Sequence, residues 1–306
     1  MLVALTANLV IAVAKAAGGL IAASPALLSE AAHSVADSLN EVFLLAALRR
    51  SRRPADRRHP FGYGKERFFW SLLAAVGIFV MGGCFSFFQG LEALRTGGEE
   101  ELQGYVAGLI VLAVALLAEG LSLVRALHQV RREGGAAAGL RDPALRTVVA
   151  EDGTAVLGVT LAAAGMVLHM VTGQVVWEAS ASLAIGALLV YVAYGLGREA
   201  RDQLIGEAAD PETGGRIQAL LAAQPEIDSV EALFTMKTGI DSVLVAARVD
   251  LVPGLDSERV EEVAVRIKRS IAGAVPAAHQ VFLDVTDRPA QEAGESPAAT
   301  GERGGA

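Results

Sequence analysis

Six long apolar stretches govern what this chain can become. They run roughly over 3–22, 26–48, 69–92, 104–126, 146–171 and 176–197. About 20 apolar helical residues cross the hydrocarbon core of a bilayer, and within it each backbone polar group must be satisfied inside the segment. The stretches therefore predict six transmembrane helices. The chain is 53% hydrophobic over 306 residues, and its mean hydropathy is +0.43. That is too apolar for a soluble domain of this length. The first stretch is too long for the apolar core of a cleavable signal and lacks a basic flank, so it reads as a span. A single cysteine, Cys84, excludes an internal disulfide and a multi-cysteine metal cluster. In its apolar run it reads as a packing residue.

Charge sets the orientation. The loop after the second span, RRSRRPADRRHPFGYGKER, is densely basic. The loop after the fourth carries Arg125, Arg131, Arg132, Arg141 and Arg146, and Arg198 and Arg201 follow the sixth. The alternate loops differ: residues 23–25 are uncharged, TGGEEE is acidic, and TGQVV has no Lys or Arg. Basic loops stay on the cytoplasmic side. Both termini and the C-terminal third are expected there, in a plasma membrane of prokaryotic type.

The apolar signature ends near residue 205. Asp210 and Pro211 predict an N-cap and first helical position, opening an amphipathic helix through RIQALLAA. A strand is expected around SVEALFTMKTG. The next, IDSVLVAARVDLV, places Val243, Val245, Ala247, Val249 and Leu251 on one face. A second helix, capped near Asp256 or Ser257, spaces Val260, Val263, Ile267 and Ile271 helically, and HQVFLDVTD gives a last strand. The order αββαβ predicts a two-layer α+β domain with helices on one face of a sheet. The expected division is a six-helix membrane domain over 1–204, an α+β domain over 205–287, and a disordered, Ala-, Gly-, Glu- and Pro-rich tail over 288–306.

The second span is not uniformly apolar. It carries Ser29, Glu30, His33, Asp37, Asn40 and Glu41. Ionisable groups in a bilayer are costly and mark functional positions. His33 and Asp37, four residues apart, lie one turn above another on one helical face, with Asn40 near it. The fifth span supplies Glu151 and Asp152. Asp152 lies about 6 residues from the cytoplasmic side and Asp37 about 11, so at ~1.5 Å per residue their depths differ by roughly 7 Å. One ion held between the two helices fits that separation. Imidazole with carboxylates suits zinc or a neighbouring first-row divalent ion. The alternative for His33 and Asp37 is a structural ion pair, which a second acidic pair at similar depth disfavours.

These residues carry a resemblance. KAAGGLIAASPALLSEAAHSVADSLNE, HPFGYGKERF and EDGTAVLGV together resemble the cation diffusion facilitator family, over about residues 1–287. The resemblance implies a six-span homodimer with a metallochaperone-like cytoplasmic domain, exporting zinc or a related divalent ion in exchange for protons. It implies that His33 and Asp37 are the second-span ligands and Asp152 the fifth-span ligand, six residues before Gly158. Most zinc-transporting members place a ligand four residues before that aspartate. Here the position is Val148, and Glu151 stands beside Asp152 instead, a Glu-Asp branch also seen in an animal mitochondrial zinc transporter. Adjacent helical residues point about 100° apart, so both are not expected to face one ion in a regular helix. Glu151 stays open as ligand or proton carrier.

Weaker signals lie elsewhere. Asp56 and His59 match positions that bind a surface metal in some members, with Tyr63 replacing a further histidine; the competing reading is a cytoplasmic anchor and hinge. Lys15 and Asn8 read as packing or counter-ion residues. Glu119 reads as ligand, proton carrier or the partner of Lys15, and Asn40 as a possible counter-ion or proton group. His59, His128 and His169 fall near interfaces or loops. His279 is the single histidine of the C-terminal domain, which is expected to dimerise rather than bind metal tightly. No nucleotide-binding Gly-rich motif and no nucleophile elbow is present, so no enzyme is expected. No cofactor and no nucleic-acid partner is expected; the substrates are a divalent metal, most simply Zn2+, and protons. Binding displaces protons from the ligands, and a histidine of ordinary pKa near 6.5 suits release by proton competition. The alternatives are a membrane-anchored metal sensor that binds without transport, and a cation channel.

Overall fold

The computed structural model describes residues 2–97, 102–132, 143–239 and 241–286. The acidic residues expected in a loop at 99–101 and the tail expected over 288–306 lie outside the described residues. The chain divides into two compact units, Met1–Ile205 and Gly206–Ala306.

Among the described residues the first unit holds six helices: α1 (Leu2–Ile21), α2 (Pro25–Ser51), α3 (Glu66–Thr96), α4 (Leu102–Arg132), α5 (Pro143–Thr172) and α6 (Val176–Ile205). By length and composition α3, α4, α5 and α6 contain stretches that can cross a membrane, and Asn8–Ile21 of α1 is a shorter apolar run. α2 has 27 residues, ample for a span, but the acidic groups it carries hold down its apolarity. Its start is well specified. Ser24 is the N-cap, its hydroxyl accepting from Leu27 N, and Pro25 occupies the first helical position.

Small residues line the interior. Ala22, Ala26, Ala36, Ala115, Ala162 and Ala181 are buried around Leu27, Leu112, Met166, Ile185 and Leu189. Large apolar side chains point outward instead, among them Val80, Phe88, Leu117, Val171 and Tyr191. This is the arrangement of a bundle solvated by lipid, where small residues let backbones approach closely. α3 shows the device most sharply. Its middle, Ile78–Cys84, is π-helical, and a Cβ on Gly82 or Gly83 would come within 2.8 Å of Leu189 or Val190 of α6.

The second unit runs α7 (Pro211–Ala222), β1 (Ile227–Gly239), β2 (Ser242–Leu251), α8 (Ser257–Ala274) and β3 (Gln280–Val285). β2 is central, antiparallel to β1 and parallel to β3. Val243, Val245, Ala247 and Val249 of β2 are buried against Ile217 and Leu221 of α7 and Val263, Ile267 and Ile271 of α8. Asp256 caps α8 by accepting from Arg259 N. Asp210 precedes α7 without a side-chain capping bond; its carboxylate instead meets Lys237 Nζ at 3.3 Å.

Candidate metal site

α2 presents its polar residues along one stripe, and α1, α4 and α5 pack around it. A cavity of about 140 Å³ opens there. A water needs at least ~10–15 Å³ of such space, so there is room for several. α2 contributes Asp37, Asn40 and Glu41, α4 contributes Glu119, and α5 contributes Glu151 and Asp152. Among the described residues the lining has five carboxylates and no basic side chain, which concentrates cations.

Some of these groups are tied down and others are not. Asn40 Nδ2 donates to Glu151 Oε1 at 3.0 Å. Asn8 Nδ2 donates to Glu41 Oε1 at 2.8 Å. Lys15 Nζ pairs with Glu119 Oε1 at 2.9 Å. Asp152 Oδ2, Glu41 Oε2 and Glu119 Oε2 are buried without a hydrogen-bond partner. Buried polar atoms are ordinarily satisfied, so three carboxylate oxygens without partners around one cavity are available to a cation or ordered water.

Asp37, Glu151 and Asp152 of the expected set share the cavity. Both acidic residues of α5 face it although the helix is unbroken across them, because the cavity wraps far enough around α5 to meet two successive positions. His33 does not line it; the ring is buried behind Asp37, with Nε2 at 3.5 Å from Asp37 Oδ2. Among the described residues no three His, Cys, Asp or Glu side chains converge tightly enough to close on a metal ion. The carboxylates ring the space rather than meet at a point. The side chain at Val148 lies outside the described residues.

Asp56 and His59 are far from this site in sequence and occupied locally. Asp56 Oδ1 accepts from the backbone N of Arg58 and His59, and Oδ2 accepts from Tyr63 Oη at 2.7 Å. The Tyr63 hydroxyl bond, with the His59 amide bond behind it, holds the Asp56 carboxyl below its usual range. Both oxygens serve the turn.

Three features carry more than the sequence reading assigned them. Glu41 belongs to the cavity, and its signal was the i, i+4 step from Asp37. Glu30 pairs with Lys15 at 2.9 Å. Glu178, at the start of α6, is wholly buried and bonded to His169 and Ser24. Nine residues separate His169 from Glu178 across a short turn, a spacing that sets the ends of two antiparallel helices side by side.

A family model described as the cation efflux transmembrane domain matches residues 1–205. The chain is 36% identical over 216 residues to metal tolerance protein C4 of Arabidopsis thaliana, covering 68% of this chain and 47% of that protein. It is 32% identical over 236 residues to the mitochondrial proton-coupled zinc antiporter SLC30A9 of Xenopus laevis, covering 74% and 42%. It is 23% identical over 296 residues to manganese efflux system protein MneP of Bacillus subtilis, covering 93% and 94%. The chain thus spans less than half the length of the first two relatives.

Proposed function

The chain belongs to the cation diffusion facilitator family of cation efflux proteins, and on that premise we propose that it exports a divalent transition-metal cation, zinc foremost, from the cytoplasm in exchange for protons. The observation that carries the reading is the acidic cavity between α2 and α5, with its idle carboxylate oxygens and His33 behind Asp37. Asp37 and Asp152 bind the ion, His33 supplies the nitrogen donor, and Glu151 closes the shell or carries a proton. Closing on the ion draws the ring of carboxylates inward. Each donor binds metal only when deprotonated, so uptake of the ion releases protons and protonation releases the ion.

Imidazole with carboxylates favours zinc, and one relative is named a zinc antiporter. A cavity so rich in carboxylate also accepts manganese, the ion in another relative's name. The protein works as a homodimer with both termini in the cytoplasm. Asp56 and His59 act as a hinge rather than a metal site.

The test is flux into proteoliposomes under an imposed pH gradient, over zinc, cobalt, manganese, ferrous iron and cadmium. The wild type moves zinc fastest and dissipates the gradient in step. His33→Ala and Asp37→Ala each slow flux severely. Wild-type rates in both variants refute the site. Binding without flux by the wild type identifies a sensor, and gradient loss without metal exchange a channel.

A further inference from the structure

Glu30 has one oxygen engaged and one idle. The residue is 0% exposed. Its Oε2 accepts from Lys15 Nζ at 2.9 Å, while Oε1 has no hydrogen-bond partner. That idle oxygen lies 3.6 Å from His33 Nδ1. The other ring nitrogen, Nε2, faces Asp37 Oδ2 at 3.5 Å. His33 is therefore the middle of a carboxylate–imidazole–carboxylate row along α2. The spacings of three and four residues keep it on one helical face.

Two neighbouring helices hold the row in place. From α1, Lys15 donates to Glu30 Oε2, to Ser34 Oγ at 3.0 Å and to Glu119 Oε1 at 2.9 Å. Three acceptors use all three ammonium protons, so the Glu30 carboxylate is clamped. From α5, Gly158 leaves the space that Glu30 occupies. A Cβ there would collide with Glu30 Oε1 and stand 3.5 Å from His33 Nδ1.

We propose that Glu30 is a positioning residue for His33, keeping the ring proton on Nδ1 so that the Nε2 lone pair is turned toward Asp37 and the cavity. Lys15 and Gly158 fix Glu30 for that task. The inference rests on the reading of His33 as a metal donor and names what sets its tautomer. A neutral imidazole offers one lone pair, and the hydrogen bond at its other nitrogen decides which. A carboxylate on that second nitrogen is the usual partner of a metal-binding histidine. Without it, a proton on Nε2 donates to Asp37, and His33 then presents no lone pair to an ion.

The test uses the full chain in proteoliposomes with Co2+ as probe, read by flux and by the visible absorption of the bound ion. Glu30→Gln leaves Lys15 paired with Glu119, so the interior stays charge-balanced. Its amide NH2 can donate to Nδ1 and push the ring proton to Nε2. The expected result is a rise in KM for Co2+ of about 10–100-fold, a maximal rate within about twofold of wild type, and an altered absorption band. Gly158→Ala retains every charge, displaces Glu30 Oε1, and shifts KM and the band in the same direction. On a His33→Ala background, Glu30→Gln adds nothing further. An unchanged KM and band in both Glu30→Gln and Gly158→Ala overturns the inference. So does the same factor in KM with and without His33, because Glu30 then does not act through the ring. If His33→Ala itself leaves the band and KM unchanged, the site reading fails first and this inference goes with it.

Discussion

Glu178 shows how much one buried side chain settles. Its Oε1 accepts from His169 Nδ1 at 2.8 Å, and Oε2 accepts from the Ser24 hydroxyl. The Tyr105 hydroxyl stands 2.9 Å from the same histidine nitrogen. One carboxylate thus joins the start of α2, the start of α4, the end of α5 and the start of α6. Removing one partner of a buried hydrogen-bonded pair leaves the other unsatisfied. Glu178→Ala is expected to cost about 1–3 kcal/mol, seen as a lowered unfolding midpoint in detergent. Glu178→Gln keeps an acceptor for Ser24 and loses less. A wild-type midpoint in the alanine variant contradicts this account. At this scale the sequence was readable where a helix's own geometry sufficed. Asp37, Glu151 and Asp152 share a cavity because the helical rise set their depths. The task of Glu30 was hidden, since it depends on Lys15 arriving from α1 and on Gly158 leaving space on α5. His169 read as an unremarkable end-of-helix residue because its partner lies across a turn.

Elements differ in what specifies them. β2 was legible from alternation alone, and its buried face is the expected one, with Leu251 only partly covered. The π-helical segment of α3 was not, because an apolar run with two glycines carries no period that separates π from α. What selects it is contact with α6. Gly90 belongs to the same seam: a Cβ there meets Leu183 Cγ at 2.8 Å and Ala179 O at 3.0 Å. Gly90→Leu is therefore expected to cost about 1–3 kcal/mol by overpacking, read as a lowered unfolding midpoint. In the second unit, α8 is fastened to the start of β1 by Glu226, which pairs with Arg266 and, at 3.3 Å, with Arg259. Arg266, with Arg259 assisting, holds the Glu226 carboxyl below its ordinary value of 4.5. A depressed carboxyl stabilises the fold while ionised. That contribution is complete above the ordinary value and is lost as the pH falls through the depressed one. Amide exchange in α8 should accelerate selectively in that acid range, and Arg266→Ala should remove the selectivity. Exchange in α8 that stays flat through the range rules out the link.

Across the membrane unit as a whole, the two ends are built differently. The acidic cavity lies in the half of the bundle nearer the α2–α3 loop, lined there by Asn8, Asn40 and Glu151. The opposite end is closed by the Glu178 network and, deeper, by the hydroxyls of Ser29 and Ser182, which bond to one another. Ser24 and Asp37 are 13 residues apart on the chain, about 20 Å along a helix. The polar cavity and the Glu178 network thus lie toward opposite ends of the bundle. In the proposed exporter the cavity side faces the source of the ion, and outward release requires the Glu178 end to part. Alternating access by rocking of helices meets that need with the site staying near mid-membrane. Thiol accessibility reads the asymmetry directly. With the exposed Cys84 replaced by alanine, Asn40→Cys should react with a membrane-impermeant maleimide applied from the basic-loop side. Ser182→Cys, buried at the sealed end, should react from neither side. Zinc should protect the cysteine at position 40, because the ion and the reagent compete for the cavity. Equal labelling of both positions from both sides would mean that the resting protein is not sealed, and that the hydrogen bonds of Glu178 stabilise the bundle without gating it.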